Sequence, residues 1–183
     1  MKTLVLVFHP DMSASRANRP LAAKAEALGG NVTVRYMYDL YPDQKVDVAA
    51  EQTALEAADR VVLQFPMYWY STPALLKQWL DDVLLYGWAY GSTGNALAGK
   101  ELLVAVSTGG AGDAYSREAS YGYTITELLR PLQATANMVQ MTYLEPFTTT
   151  GTLTITDEAL AQRVENYAAT LASKDLPVLE PHG

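Results

Sequence analysis

Cysteine is absent from the 183 residues. That excludes disulfides, thiol catalysis and cysteine-held metal clusters, and it is compatible with a reducing compartment. Histidine is scarce, with only His9 and His182, which argues against a histidine-rich metal site, and no metal is expected. Positive charge is also short. Thirteen Lys and Arg face 20 Asp and Glu, a net charge of −7 at pH 7. Nucleic acid and anionic membrane surfaces both reward basic patches, so neither is expected as the main partner. Long apolar runs are missing too. Thr3 to Phe8 is far too short to cross a bilayer, and no signal-peptide pattern follows it. Without an export signal, Asn31-Val32-Thr33 reads as a chance glycosylation match. No G-x-x-x-x-G-K-[ST] occurs, so there is no triphosphate loop of that kind. Repeats, low-complexity tracts and linkers are absent as well.

What is present alternates. Leu4 to Phe8, "RVVLQF" from Arg60 and "ELLVAVS" from Glu101 are short apolar runs that read as strands buried on both faces. "NVTVRYMY" and "MVQMTYLEPF" read as two more strands. Between them lie helical patterns. One spans 18–28 and is closed by Gly29-Gly30. Another falls within 41–59. A third starts at Pro73, taken as its first position, with Leu75, Leu76, Trp79, Leu80, Val83 and Leu84 on one face. Thr124 and Glu127 have capping-box spacing before a further helix, in which Pro131 should force a kink or break. "DEALAQRVENYAATLA" is the last helix. Strand–helix alternation implies right-handed crossovers and a parallel sheet covered on both faces. Five strands fit a flavodoxin-like doubly wound α/β sheet of order 2-1-3-4-5. Residues 1–173 are expected to form one domain and 174–183 a loose tail.

In such sheets ligands bind beyond the carboxyl ends of the strands, where strand order reverses. Three loops meet there: 9–18, 66–72 and 107–121. The first offers Ser13, Ser15, Asn18 and Arg16 at a helix start, an anion site needing little net charge. The plainer alternative is a helix cap by Ser15. The second holds Tyr68, Trp69 and Tyr70 in a row after Pro66. Three consecutive aromatics cannot all point inwards, and a planar ligand stacked on a ring would account for them. The third, "STGGAGDAY", lets backbone approach a ligand closely, although alone it is equally a flexible connection.

Taken together, His9, Pro10, Ser15 and Asn18, then "FPMYWYSTPALLKQWLDDVL", "YGWAYG" and "STGG", resemble the NAD(P)H:quinone oxidoreductases of flavodoxin-like fold. "YPDQKVDVAAEQ" and "RPLQATA" resemble in particular the bacterial ancillary oxidoreductases of glutathione-gated potassium efflux systems. The resemblance runs from Met1 to about Phe147 and implies a non-covalent flavin, FMN in preference to FAD. It would place His9, Ser15, Arg16, Ala17 and Asn18 around the phosphate. Pro66, Met67, Tyr68 and Trp69 would line the isoalloxazine ring. Ser107, Thr108, Gly109 and Gly110 would close on its other edge. Tyr115 matches a tyrosine that supports charge at the flavin N1–O2 edge. The animal enzymes carry a histidine a few residues later; here Tyr121 or Tyr123 occupies that region, and Tyr115 and Tyr121 are the candidate catalytic residues.

The resemblance further implies two-electron, ping-pong reduction of a quinone-type acceptor by NADPH or NADH. It implies a homodimer with "YGWAYG" facing the second subunit. It implies a cytoplasmic protein, stationed at the inner face of the membrane if a potassium efflux channel subunit is its partner. Two other functions are weighed: a regulatory ancillary subunit of such a channel, and a flavodoxin-type electron carrier. Carriers show a hydroxyl- and glycine-rich loop after the first strand, where this chain has "HPDMSASRAN".

Overall fold

The computed structural model describes residues 1–180; His182 lies outside the described residues. Strand β1, Thr3–Val7, is flanked by β2, Val32–Tyr36, and β3, Arg60–Pro66. Strand β4, Glu101–Ser107, follows β3. All four pair in parallel. Beyond β4 the expected fifth strand is split into β5, Thr142–Tyr143, and β6, Phe147–Thr149, each paired in parallel with a different part of β4. The order β2-β1-β3-β4-β5, with β6 continuing that edge, is flavodoxin-like.

The split has a local cause. Pro146 has no N–H to give a ladder, which confines it to strand edges and breaks. Met138, expected in that strand, instead ends helix α6, Arg130–Met138. The preceding short helix α5, Ile125–Leu128, carries the expected capping box. The break expected at Pro131 falls at Leu129, so that proline sits in the first turn of α6, where a missing N–H costs nothing. Pro73 is likewise one residue earlier than expected. It is the N-cap of α4, Ala74–Val83.

Because side chains alternate across a strand, the sheet sorts them into two layers. Leu4, Leu6, Phe8, Leu63, Phe65, Val104 and Val106 face the layer holding α4 and α3, Val48–Ala57. Val5, Val7, Val62, Leu103 and Ala105 face α1, Asn18–Leu28, and α7, Asp157–Ala172. By the same parity Gln64 and Ser107 fall in this second layer, and both are buried. Gly29 ends α1 at φ 55, a left-handed conformation that suits glycine. The second strand is shorter than expected, since Met37–Leu40 coil into α2.

The segment from residue 174 is not loose over 174–180. Val178 bridges Leu144 antiparallel. Leu179 N–H donates to Tyr143 O at 3.0 Å and Glu145 N–H to Pro177 O at 2.8 Å. Gln133 Nε2 donates to Leu179 O at 2.8 Å. These bonds satisfy the outer edge left by the two-residue strand β5.

Candidate active site

Ser107, at the end of β4, lines a cavity of about 360 Å³ at the switch point between β1 and β3, while Gln64, fully buried in β3, does not line it. Its lining runs from His9 through Ala14 to Asn18, then Pro66 to Tyr68, then Ser107 and Gly109. The three loops singled out from the sequence therefore meet in one place. Ala14, Thr152 and Leu153 also line it and were not expected. They belong to the first loop and to a fourth, the segment between β6 and α7. Thr152 N–H donates to Thr108 O at 3.0 Å and Gly151 N–H to Gly110 O at 2.7 Å. Thr108, buried, thus faces the fourth loop and not the cavity. Its Oγ1 donates to Gly110 O at 2.9 Å.

The first loop is built for anions. Ser15 Oγ accepts the N–H of Asn18 at 3.0 Å, so it reaches the helix start although Ala17 is the N-cap residue. The N–H groups of Arg16 and Ala17 have no acceptor among the described residues. His9 Nδ1 accepts the Asp11 N–H at 3.1 Å. The neutral ring therefore carries its proton on Nε2. Burial holds its pKa below the usual histidine value, against the opposing pull of Asp11. Arg16 turns to the start of α7, pairing with Asp157 at 2.8 Å with both side chains solvated. Pairs of that kind contribute little, which leaves the guanidinium free to exchange partners.

The second loop supplies Pro66, Met67 and Tyr68 to the lining. Pro66 is buried and Tyr68 is half-exposed, while Trp69 is 92% exposed and does not line the cavity. Trp69 and Tyr70 stand at φ 48 and 62, two consecutive left-handed residues that are not glycine. A Tyr68–Ser71 backbone pair, 3.0 Å in both directions, closes the turn that holds them. Such conformations cost of order 1–3 kcal/mol each. The turn holds Trp69 and Tyr70 out at the surface.

Tyr115 and Tyr121 lie beside this cavity and do not line it. Their ring centroids are 4.8 Å apart, and Tyr70 meets Tyr121 edge-on at 5.8 Å. A Cβ on Gly110 would sit 2.8 Å from the Tyr121 hydroxyl, so this glycine is needed for the rings to close in. Burial pushes the Tyr115 hydroxyl above its ordinary pKa, and a bond to Thr108 opposes the shift. It stays a neutral donor. Trp88, expected to face a second subunit, donates its indole N–H to Glu56 of its own chain at 2.8 Å. The exposed ring of that segment is Tyr86. No group of metal-ligating side chains occurs among the described residues.

A family model described as a flavodoxin-like fold matches residues 1–171. An uncharacterised NAD(P)H oxidoreductase, YrkL of Bacillus subtilis, is 46% identical over 170 residues, 91% of this chain and 97% of that one. The ancillary protein KefF of the glutathione-regulated potassium-efflux system of Enterobacter sp. is 44% identical over 169 residues, 92% and 94% of the two chains. Among solved structures, one described as a thermophilic tryptophan halogenase from Streptomycin violaceusniger superposes with a TM-score of 0.91 at 47% identity, covering 94% of this chain and 99% of that one. General stress protein 14 of Treponema denticola, in complex with FMN, gives 0.84 at 42%, with 93% and 95% covered. An NADPH-quinone reductase from P. pentosaceus gives 0.86 at 37%, with 96% and 99% covered.

Proposed function

The chain belongs to the family of flavodoxin-like fold, and from that premise we propose that it is an FMN-dependent NAD(P)H:quinone oxidoreductase. The observation that carries the reading is the cavity at the switch point. The buried hydroxyl and amide groups of Ser15, Asn18 and Ser107 line it together with Pro66, Met67 and the ring of Tyr68. That combination suits a molecule with a phosphate at one end and a planar ring at the other. FMN fits this description, and relatives in complex with FMN or described as NAD(P)H oxidoreductases support it.

When bound, flavin supplies two-electron hydride chemistry. The chain's part is to hold and shape. His9 Nε2–H, Ser15, Asn18 and the free N–H groups of Arg16 and Ala17 would bind the phosphate, with Arg16 exchanging Asp157 for it; Ser107, expected at the ring edge, would join them because Asn18 Nδ2 donates to its hydroxyl. Pro66 to Tyr68 would fix the ring plane, and Gly109 would let backbone approach its edge. Tyr115, kept protonated, would donate toward negative charge developing there, with Tyr121 packed behind it. A second molecule of this chain would complete the slot. Trp69, Tyr70, Tyr86 and Tyr123 all expose aromatic surface, which favours a homodimer.

Donor and acceptor would then take turns in one slot. Steady-state oxidation of NADPH and of NADH with a quinone should give parallel double-reciprocal lines. Intersecting lines would count against a shared slot, and no turnover with either donor would count against the enzyme. Similarity to a potassium-efflux ancillary protein favours one further role, docking on a channel's cytoplasmic domain. Pull-down with such a domain tests it.

A further inference from the structure

A chain of buried side chains runs from α7 to the cavity. Tyr167, fully buried in the second core layer, places its hydroxyl 3.1 Å from Gln64 Oε1. Gln64 Nε2 lies 2.9 Å from the backbone oxygen of Asn18 and 3.4 Å from its Oδ1. Asn18 Nδ2 lies 2.8 Å from Ser107 Oγ.

Chemistry fixes the direction of every link. A backbone carbonyl only accepts, so the Gln64 nitrogen must face Asn18 and its oxygen must face Tyr167. Burial pushes the Tyr167 pKa upward, and the phenol O–H donates. Asn18 Oδ1 is turned to the Gln64 nitrogen, which leaves Nδ2 to donate to Ser107. Ser107 Oγ therefore receives a proton-bearing partner from behind. Ser15 Oγ receives one too, the N–H of Asn18 at 3.0 Å. Neither hydroxyl donates to a protein acceptor among the described residues, and both line the cavity. Their O–H bonds are left to point into it.

We propose, resting on the flavin-phosphate reading above, that Tyr167, Gln64 and Asn18 form a one-way hydrogen-bond relay. The relay sets Ser107 as a donor beside Ser15, which the Asn18 backbone N–H sets independently, and the two hydroxyls together select a phosphate monoester at that end of the cavity. Tyr167 and Gln64 are positioning residues. They touch neither ligand nor solvent, and they act through Asn18. A dianionic phosphate accepts and cannot donate, so hydroxyls fixed as donors favour it over the neutral hydroxyl of an unphosphorylated ligand.

The test compares FMN with riboflavin, which differ only in the phosphate. Apo-protein is titrated with each, for wild type, Tyr167→Phe and Gln64→Glu. Tyr167→Phe removes the donor to Gln64 Oε1, leaving that buried oxygen without its partner and the amide held from the Asn18 side only. Gln64→Glu leaves an acceptor facing the Asn18 carbonyl, which breaks the relay at its centre. Each variant should bind FMN roughly 3- to 10-fold more weakly, the scale of one mis-set hydrogen bond, with riboflavin affinity within about twofold of wild type. A merely structural role predicts a different pattern, in which both ligands weaken together and the melting temperature falls in step. That pattern, or unchanged FMN affinity in both variants, overturns the relay. If Gln64→Glu does not fold, Tyr167→Phe decides alone. Wild-type protein that binds neither ligand would overturn the flavin reading itself, a result distinct from a relay that fails in a flavin-binding protein.

Discussion

Tyr115 and His9 were both picked out from the sequence, and they stand differently in the structure. Tyr115 is held against Thr108 and Tyr121, one loop away from the cavity, as a neutral donor. Tyr115→Phe should leave FMN bound and slow flavin reduction by roughly tenfold, about the value of one bond to a developing charge. Stopped-flow reduction by NADPH and NADH checks this. Rates within twofold of wild type with both donors would leave Tyr115 a packing residue. His9 gives a pH dependence. Its folded pKa lies below the ordinary histidine value, so below about pH 6.5 the unfolded chain takes up protons before the folded one. The stability that His9 contributes is present above that value and is lost as pH falls through the folded pKa. Thermal melts across that window should show a shallower acid decline for His9→Asn than for wild type. Parallel curves would remove His9 from the acid response. Gln64 and Tyr167 could not be found by reading. Each looks like an ordinary core position, and only the parity of β3 and the packing of α7 bring them together.

At the scale of elements, α5 shows how a short helix can be set by its cap. Thr124 Oγ1 accepts the Glu127 N–H at 3.1 Å, and the Glu127 carboxylate accepts the Thr124 N–H at 2.9 Å. That backbone bond, with Arg117 and the Thr124 hydroxyl, holds the Glu127 carboxyl down to about 2. Thr124→Ala should cost about 1 kcal/mol, or about 2–4 °C of melting temperature. It should also speed amide exchange across 111–123, the loop that carries Tyr115 and Tyr121. Unchanged exchange would mean that the loop is held by its rings alone. The cap was legible because its two residues lie three apart. The strands β1, β3 and β4 were legible because both faces are apolar. The edge was not: β5 and β6 are two and three residues long. Their sequence reads as one strand because Met138 and Val139 continue the apolar run into it. The fourth loop was missed for a related reason. "TTGTLT" carries no ring and no charge, and it is held at the cavity by bonds to Thr108 and Gly110 far away in sequence.

For the whole molecule, the alternation implied a parallel sheet, its five strands fitted the flavodoxin-like order found, and that order determined where the loops would meet. The C-terminal segment did not follow. Its prolines and charges suggest a loose tail, yet Val178 and Leu179 cover the edge of β5 up to residue 180. Trp88, expected to face a second subunit, packs on its own core. Tyr86 and Trp69 are the exposed rings, 69% and 92% accessible. Large aromatics of this kind anchor interfaces. Wild type should therefore sediment as a dimer at micromolar concentration, and the double variant Trp69→Ala/Tyr86→Ala should shift toward monomer with its fold intact. A wild-type monomer would refute the dimer. The function depends on what fills the cavity at the switch point. The most direct measurement is the visible absorption spectrum of purified protein, followed by the mass of the compound released by heat. A yellow protein that releases FMN is the predicted result. A colourless protein that takes up neither FMN nor FAD when they are supplied would contradict it.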